Sequence, residues 1–482
     1  MRKTNLAVST LLAVALCGPA FGATTADDAA KLKASLGAYL GASADAVAIT
    51  PEGDGFKVVI DATGILAKSP DSKDVVISPI DFMLTPAGEG KWKVSHEGPL
   101  AFSAQFKGQF EITEKAESYT LNGEFDESLA AFTTLDAKVA NLTFDETIKD
   151  EKGMDIKASG KFDSVDVKGT GTANSAGGVD VKFTEVFGPG EFTQDVAGGD
   201  GSAPFHLNVK MASINAEGAV NGTTTTAIAQ FFKFVAAHPD DKAMANAQDD
   251  LKSVLRNLLP VFTSGEGSAT INGIEAETSV GHFKAAKTTI GVKANGAVKD
   301  GRLEESINFE GIELPPGLVP AWAQSLVSKN VSLGVAMSGY DLESFLKAEI
   351  DSADFSKDPA VSKEAEDKNA QLLMPKGAVD VTLTKSSISN DVYALTAEGT
   401  MQVGPSAQPT GKAHITMKGL DDVMKAAQAA PAEAGLQEMG AVAIVAKGLA
   451  KTENDGSLGW DVEATPDGKI TVNGMDMSKL KN

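Results

Sequence analysis

Residues 101–113, AFSAQFKGQFEIT, alternate without a fault. Phe102, Ala104, Phe106, Gly108, Phe110 and Ile112 face one way; Ser103, Gln105, Lys107, Gln109 and Glu111 face the other. A period of two predicts a half-buried β-strand, here one about 40 Å long at ~3.3 Å per residue. Shorter alternations recur at Leu207, Val209 and Met211, at Val379, Val381 and Leu383, and around His414–Met417. One apolar and one wet face predict antiparallel sheets, because covered parallel strands read as continuous apolar runs. Asn-Gly at 122–123, 221–222, 272–273, 295–296 and 473–474, and Asp-Gly at 54–55, 300–301, 455–456 and 467–468, accept positive φ and predict hairpin turns. Three of the Asn-Gly pairs sit in a Thr-x-Asn-Gly frame at 120, 270 and 471; without a fixed period this reads as turn chemistry in a meander.

A period near 3.6 predicts fewer helices. Residues 25–40 place Leu32, Leu36, Tyr39 and Leu40 on one face, with Asp27 and Asp28 at the N-terminal end. Residues 224–260 read as a helical hairpin. Ile228, Phe231, Phe232 and Val235 stripe the first arm; Pro239 opens the second, striped by Leu251, Val254, Leu255 and Leu258. Other helical stretches fall near 319–328, 340–350, 358–373, 419–430 and 433–449, and linker-like patches at 196–204, 352–366 and 404–411. The expected class is α+β, mainly antiparallel β: long curved sheets with packed amphipathic helices and a helical hairpin. The expected organisation is a leader at 1–22, an N-terminal β-rich region at 23–220, the hairpin at 221–262, and a C-terminal β-rich region with helices at 263–482.

Composition adds the compartment. Met1–Asn5 is a short positive region, Leu6–Leu16 an apolar run, and Ala20-Phe21-Gly22 a small-residue cleavage site. Together they predict a signal peptide and hence export, most simply to the periplasm. Cys17 is the chain's single cysteine and lies within the leader. The mature protein is therefore expected to lack disulfides and thiolate chemistry. After the leader no run of 18 apolar residues occurs, so no integral membrane segment is expected in the mature chain. A formal charge of −22 opposes nucleic acid and anionic headgroups at long range. Aromatics are only 6% of residues, which argues against an aromatic-lined cleft.

The stretch most like a catalytic motif is LTPAGEGKWKV, residues 84–94, whose spaced glycines and lysine suggest a phosphate loop. Such a loop needs G-x-x-x-x-G-K-[ST] and a helix starting at the lysine. Here Trp92 follows Lys91, the pattern continues as a strand, and ITPEGDGFKV at 49–58 and ATPDGKITV at 464–472 repeat the frame, so all three read as hairpin turns. His96, His206, His238, His282 and His414 show no metal-ligand spacing, and no acidic pair fits a calcium loop. No catalytic, cofactor or metal residue is nominated, and the expectation is a protein that is not an enzyme. The one candidate site is an apolar groove at the helical hairpin: Phe231, Phe232, Val235, Leu251, Leu255 and Leu258.

GDGFKVVID at 53–61, GIELPPGLVPAWAQSLVSKNVSLGVAMSGYDL at 311–342 and GWDVEATPDGKITVNGMDMSKL at 459–480 resemble an uncharacterised exported alphaproteobacterial family, a DUF2125-like domain of unknown function. The ending is also similar to AsmA-like and YdgA-like envelope proteins. The resemblance implies association with the Gram-negative envelope and brings no catalytic motif. The expected function is thus an envelope-associated scaffold or binding protein, whose partner is a lipid, another apolar ligand or a second envelope protein. An outer-membrane β-barrel is the first alternative and an uncharacterised hydrolase the second.

Overall fold

The first helix shows why this sequence folds as it does. Thr25 caps α1 (Ala26–Leu40): its hydroxyl oxygen accepts from the Asp28 amide, and Asp27 and Asp28 lie in the first turn, where the helix dipole favours negative charge. Leu32 and Leu36, one turn apart, are fully buried. Gly41 ends the helix at φ +55°, its N–H donating to the Gly37 carbonyl. The computed structural model describes residues 24–61, 63, 76–106, 110–149, 155–197, 204–238, 240–405, 408–431 and 437–477. The leader at 1–22 and Pro239 lie outside them.

Two compact units divide the chain. One holds Met1–Gly265 with Leu346–Asn369; the other holds Glu266–Phe345 with Ala370–Asn482. Both are built mainly from antiparallel strands with helices added, the α+β class expected. The N-terminal unit carries β1 (Val47–Glu52), β2 (Gly55–Ile60), β3 (Val76–Ile77), β4 (Ile80–Gly88), β5 (Lys91–Phe106), β6 (Phe110–Asp126), β7 (Ala131–Lys149) and β8 (Asp155–Ala173). It continues with β9 (Val179–Phe187), β10 (Gly190–Val196), β11 (Phe205–Met211) and β12 (Ser213–Asn221). Strands β1, β2, β4, β5, β6, β7 and β8 pair in that order; one half of β8 then pairs with β9 and β12 beyond it, the other half with β10 and β11. Under α1, the sheet buries Phe56, Leu84, Trp92, Leu121 and Phe125 with Leu32 and Leu36 as one core.

The alternation at 101–113 is not one strand. It crosses a hairpin: β5 ends at Phe106, β6 begins at Phe110, and these two residues pair. Because 106 and 110 have the same parity, the apolar face stays in phase across the connection, and a period of two cannot reveal the turn. Asn122-Gly123 and Asn272-Gly273 are likewise not turns but lie inside strands. At Gly123 a Cβ would fall 3.0 Å from the Phe132 ring, so this glycine leaves room for an aromatic neighbour. Asn221-Gly222, with Gly222 at φ +65°, ends β12 ahead of a helix and is not a hairpin turn either. Residues 49–58 are the β1–β2 hairpin, with Gly53 at φ +62°, and 84–94 are the β4–β5 hairpin, with Gly90 at φ +67°. Lys91 opens a strand and lies 3.7 Å from Glu124 and 3.9 Å from Asp126, in ion pairs.

The expected helical hairpin is present with its second arm broken. It consists of α2 (Thr225–Ala237), then α3 (Asp241–Asn246) and α4 (Gln248–Asn257), interrupted at Ala247. Asp240 caps α3 through the Ala243 amide at 2.8 Å. The C-terminal unit carries β13 (Ser264–Thr278), β14 (Gly281–Asn295), β15 (Gly301–Glu310), β16 (Asn330–Tyr340), β17 (Val379–Ser389), β18 (Ala394–Val403) and β19 (Thr410–Lys418). The short β20 (Lys451–Thr452) follows, then β21 (Leu458–Ala464), β22 (Ile470–Val472) and β23 (Met475–Asp476). From β14 to β19 each strand pairs with the next, and β19 then pairs with β21. Helix α5 (Leu342–Ser352) passes from this unit into the N-terminal one, which also holds α6 (Lys363–Ala370); α7 (Leu420–Gln428) and α8 (Gln437–Leu449) belong to the C-terminal unit.

Candidate functional site

Of the residues nominated from sequence, Phe231, Phe232 and Val235 lie on α2, Leu251 and Leu255 on α4, and Leu258 at the C-cap of α4. Leu251 is buried, and Phe231, Phe232, Val235, Leu255 and Leu258 are half-buried. Phe232 and Tyr39 of α1 pack on Ala130 and Ala229, a small satellite of the main core. The Phe231 and Phe232 rings meet edge to face at 5.8 Å.

A larger open apolar surface lies in the C-terminal sheet. Residues paired across antiparallel strands share a face. One register row runs Val292, Glu305, Val335, Leu383, Gly399, Ala413 and Val462, from β14 to β21. Beside it run Leu303, Met337, Val381 and Met401, and on the other side Ile290, Ile307 and Leu333. Ile290, Val292, Leu333, Val335, Met337 and Met401 are each between 37% and 48% exposed, so this face is not the inside of a core. Scattered exposed aliphatics need no explanation; six on one face mark a contact surface. At the β21 side the face is covered: Trp460, paired with Ile415, is buried and its indole N–H donates to the Ala446 carbonyl of α8 at 2.8 Å.

The opposite, polar face of the same sheet holds an open groove of about 840 Å³. There His414 Nδ1 lies 2.8 Å from Asp461 Oδ1 and Lys451 Nζ 3.0 Å from Oδ2. These partners, His414 foremost, hold the Asp461 carboxyl below the usual carboxylate range. On the neighbouring strand pair the Thr396 and Thr416 hydroxyls bond each other at 2.6 Å. The His414–Asp461 pair is an exposed ion cluster that sequence spacing could not show, its members being 47 residues apart. Elsewhere His206 pairs with Asp195 at 2.6 Å, and His96 Nδ1 lies 2.9 Å from the Asp81 carbonyl. Among the described residues no group of three or more His, Cys, Asp or Glu could hold a metal ion.

The N-terminal sheet has an apolar row of the same kind, Phe102, Glu114, Phe144, Gly160, Phe192 and Val209, half-buried throughout. The Phe144 and Phe192 rings stack at 6.3 Å, and Phe144 lies over Gly160, where a Cβ would meet the ring at 2.3 Å. Burial among these rings pushes the Glu114 carboxyl up from its ordinary value. A raised folded-state pKa means the ionised form is disfavoured in the fold; the penalty is complete above the folded pKa and absent below the unfolded one. Glu114→Gln is therefore expected to raise the melting temperature at pH 7 by about 1–2 °C, a modest gain because water screens a half-open carboxyl. The gain vanishes by about pH 4, where the wild-type carboxyl is itself protonated, and melts at the two pH values check this.

The fold and surface define a mainly antiparallel β protein with an open apolar face on its C-terminal sheet. Residues 269–466 match the family described as an uncharacterized protein conserved in bacteria (DUF2125). That span holds most of the C-terminal sheet, including the open face, and agrees with the family resemblance of the sequence. No curated protein and no solved structure matches the chain, and the likeness to AsmA-like and YdgA-like proteins rests on sequence pattern alone.

Proposed function

We propose that the protein is exported to the periplasm and binds the acyl chain of a lipid, without catalysis, on the open apolar face of its C-terminal unit. The observation that carries this reading is the contiguous exposed set Ile290, Val292, Leu333, Val335, Met337 and Met401 on one sheet face. Protein-binding hot spots are rich in Trp, Tyr and Arg. This set is wholly aliphatic or thioether, which suits a flexible hydrocarbon chain better than a folded partner. Glu305, exposed in the central row, and the overall charge of −22 favour a lipid without net negative charge.

The test uses chain exported to the periplasm, extracted with organic solvent for mass spectrometry, and separately titrated with a fluorescent phosphatidylethanolamine. Bound lipid and saturable uptake are expected. Val335→Glu with Met337→Glu should weaken uptake at least about tenfold, since each change places a charge against hydrocarbon. Thr400→Glu, on the polar face, should leave it unchanged. A folded wild-type protein that carries no lipid and takes none up would end the proposal.

A further inference from the structure

Helix α8 is out of place for a helix of a water-facing surface. Its sequence, QEMGAVAIVAKGL, is apolar around most of its circumference, a pattern that belongs to buried helices. Yet Val442, Ile444 and Val445 are 68%, 62% and 51% exposed, among the most open aliphatic side chains of the protein. The helix is held on one side: Ala443, Ala446 and Leu449 are half-buried, the Ala446 carbonyl takes the Trp460 indole N–H, the Leu449 carbonyl accepts from the Asn473 side-chain amide at 2.7 Å, and Lys447 pairs with Asp421 of α7. Valine and isoleucine are mediocre helix formers, so neither intrinsic propensity nor packing within the chain accounts for three of them in the open.

We infer that α8 docks into the interface of a zwitterionic lipid bilayer and is the point at which an acyl chain passes to the adjoining apolar sheet face. The second half of this statement rests on the function proposed above; the first half does not. Thirteen residues make a helix of about 20 Å, too short to cross a hydrocarbon core of ~30 Å, so α8 lies in the plane of the surface. Charge selects the kind of surface. Lys447, in the last turn, is neutralised by Asp421 at 2.6 Å, and the chain as a whole is strongly acidic, so nothing draws the helix to anionic headgroups. The same net charge opposes a second copy of the chain as the occupant. Continuity gives the link to the sheet. Trp460, on which α8 rests, shares a face of β21 with Val462, and Val462 belongs to the row that contains Val335 and Leu383.

The experiment is flotation of the full exported chain with vesicles of phosphatidylcholine and phosphatidylethanolamine, repeated with vesicles containing phosphatidylglycerol. Wild type is expected to float with the zwitterionic vesicles and no better with the anionic ones. Val442→Asp with Val445→Asp should reduce the bound fraction at least about tenfold, while uptake of the fluorescent lipid from a dispersed, vesicle-free form stays at the wild-type level. That retained uptake also shows that the variant is folded. Val335→Glu with Met337→Glu should do the reverse, losing uptake and keeping vesicle binding. Absence of wild-type flotation, undiminished flotation of the aspartate variant, a preference for anionic vesicles, or sedimentation showing a dimer that the aspartate variant dissolves would each overturn the inference. Failure of uptake with intact flotation would instead count against the lipid-binding function and leave the docking helix standing.

Discussion

Phe125→Ala lowers the unfolding free energy of the N-terminal unit by about 3–5 kcal/mol, the range for removing a fully enclosed aromatic ring. Phe125 is 0% exposed, pairs across strands with Trp92 on β5 and Phe132 on β7, and meets the Phe132 ring edge-on at 5.4 Å. Leu32 and Leu36 of α1 belong to the same cluster, so the void would open where helix and sheet meet and neither side alone can collapse into it. Ordinary domains are stable by about 5–15 kcal/mol, so the loss is a large fraction of the total. Urea unfolding followed by Trp92 fluorescence, in a background where Trp322 and Trp460 are phenylalanine, should show the midpoint falling with the slope unchanged. A shift under ~1 kcal/mol would mean that the ring is not enclosed as described.

Gly41→Val should be almost as damaging, by about 2–5 kcal/mol, for two separable reasons. The backbone at φ +55° and ψ −133° lies in a region that glycine alone adopts readily and disfavours any side chain by roughly 1–2 kcal/mol. A Cβ would also lie 2.7 Å from the Ala236 carbonyl oxygen of α2, a backbone atom with no rotamer to escape into, which adds about 1–3 kcal/mol. Gly53→Val is the internal control: its φ is +62°, and nothing lies within 4 Å of the added carbon. The urea midpoint is expected to fall further for Gly41→Val than for Gly53→Val, since only the former meets the α2 backbone. Equal losses would refute the close approach.

Much of the architecture could be read from periodicity, and the failures have identifiable causes. The α1 pattern was legible because capping, dipole and apolar spacing all agree at Thr25, Asp28, Leu32 and Leu36. The hairpin inside 101–113 was hidden because its strands stay in phase through the turn. Asn122-Gly123 misled because glycine serves two ends, a positive φ in turns and an empty space beneath a ring in strands. The open apolar face was partly visible at Val379, Val381 and Leu383. A strand pattern says which side is apolar, however, and not whether another layer covers it. The exposure of α8 was hidden for the same reason: helical periodicity marks a face for burial, and only the tertiary structure shows what that face lacks.

Glu114 and Glu305 each interrupt an otherwise apolar register row, one in each unit. A wide strip of uninterrupted aliphatic sheet is also a template on which other extended chains can stack. A single carboxylate in the middle of such a strip costs a flexible hydrocarbon little, because the chain can bend past it. For a second β-sheet pressed flat against the strip, the same charge would have to be buried without a partner. Each of these two residues thus sets a charge against the stacking of a second sheet on its row.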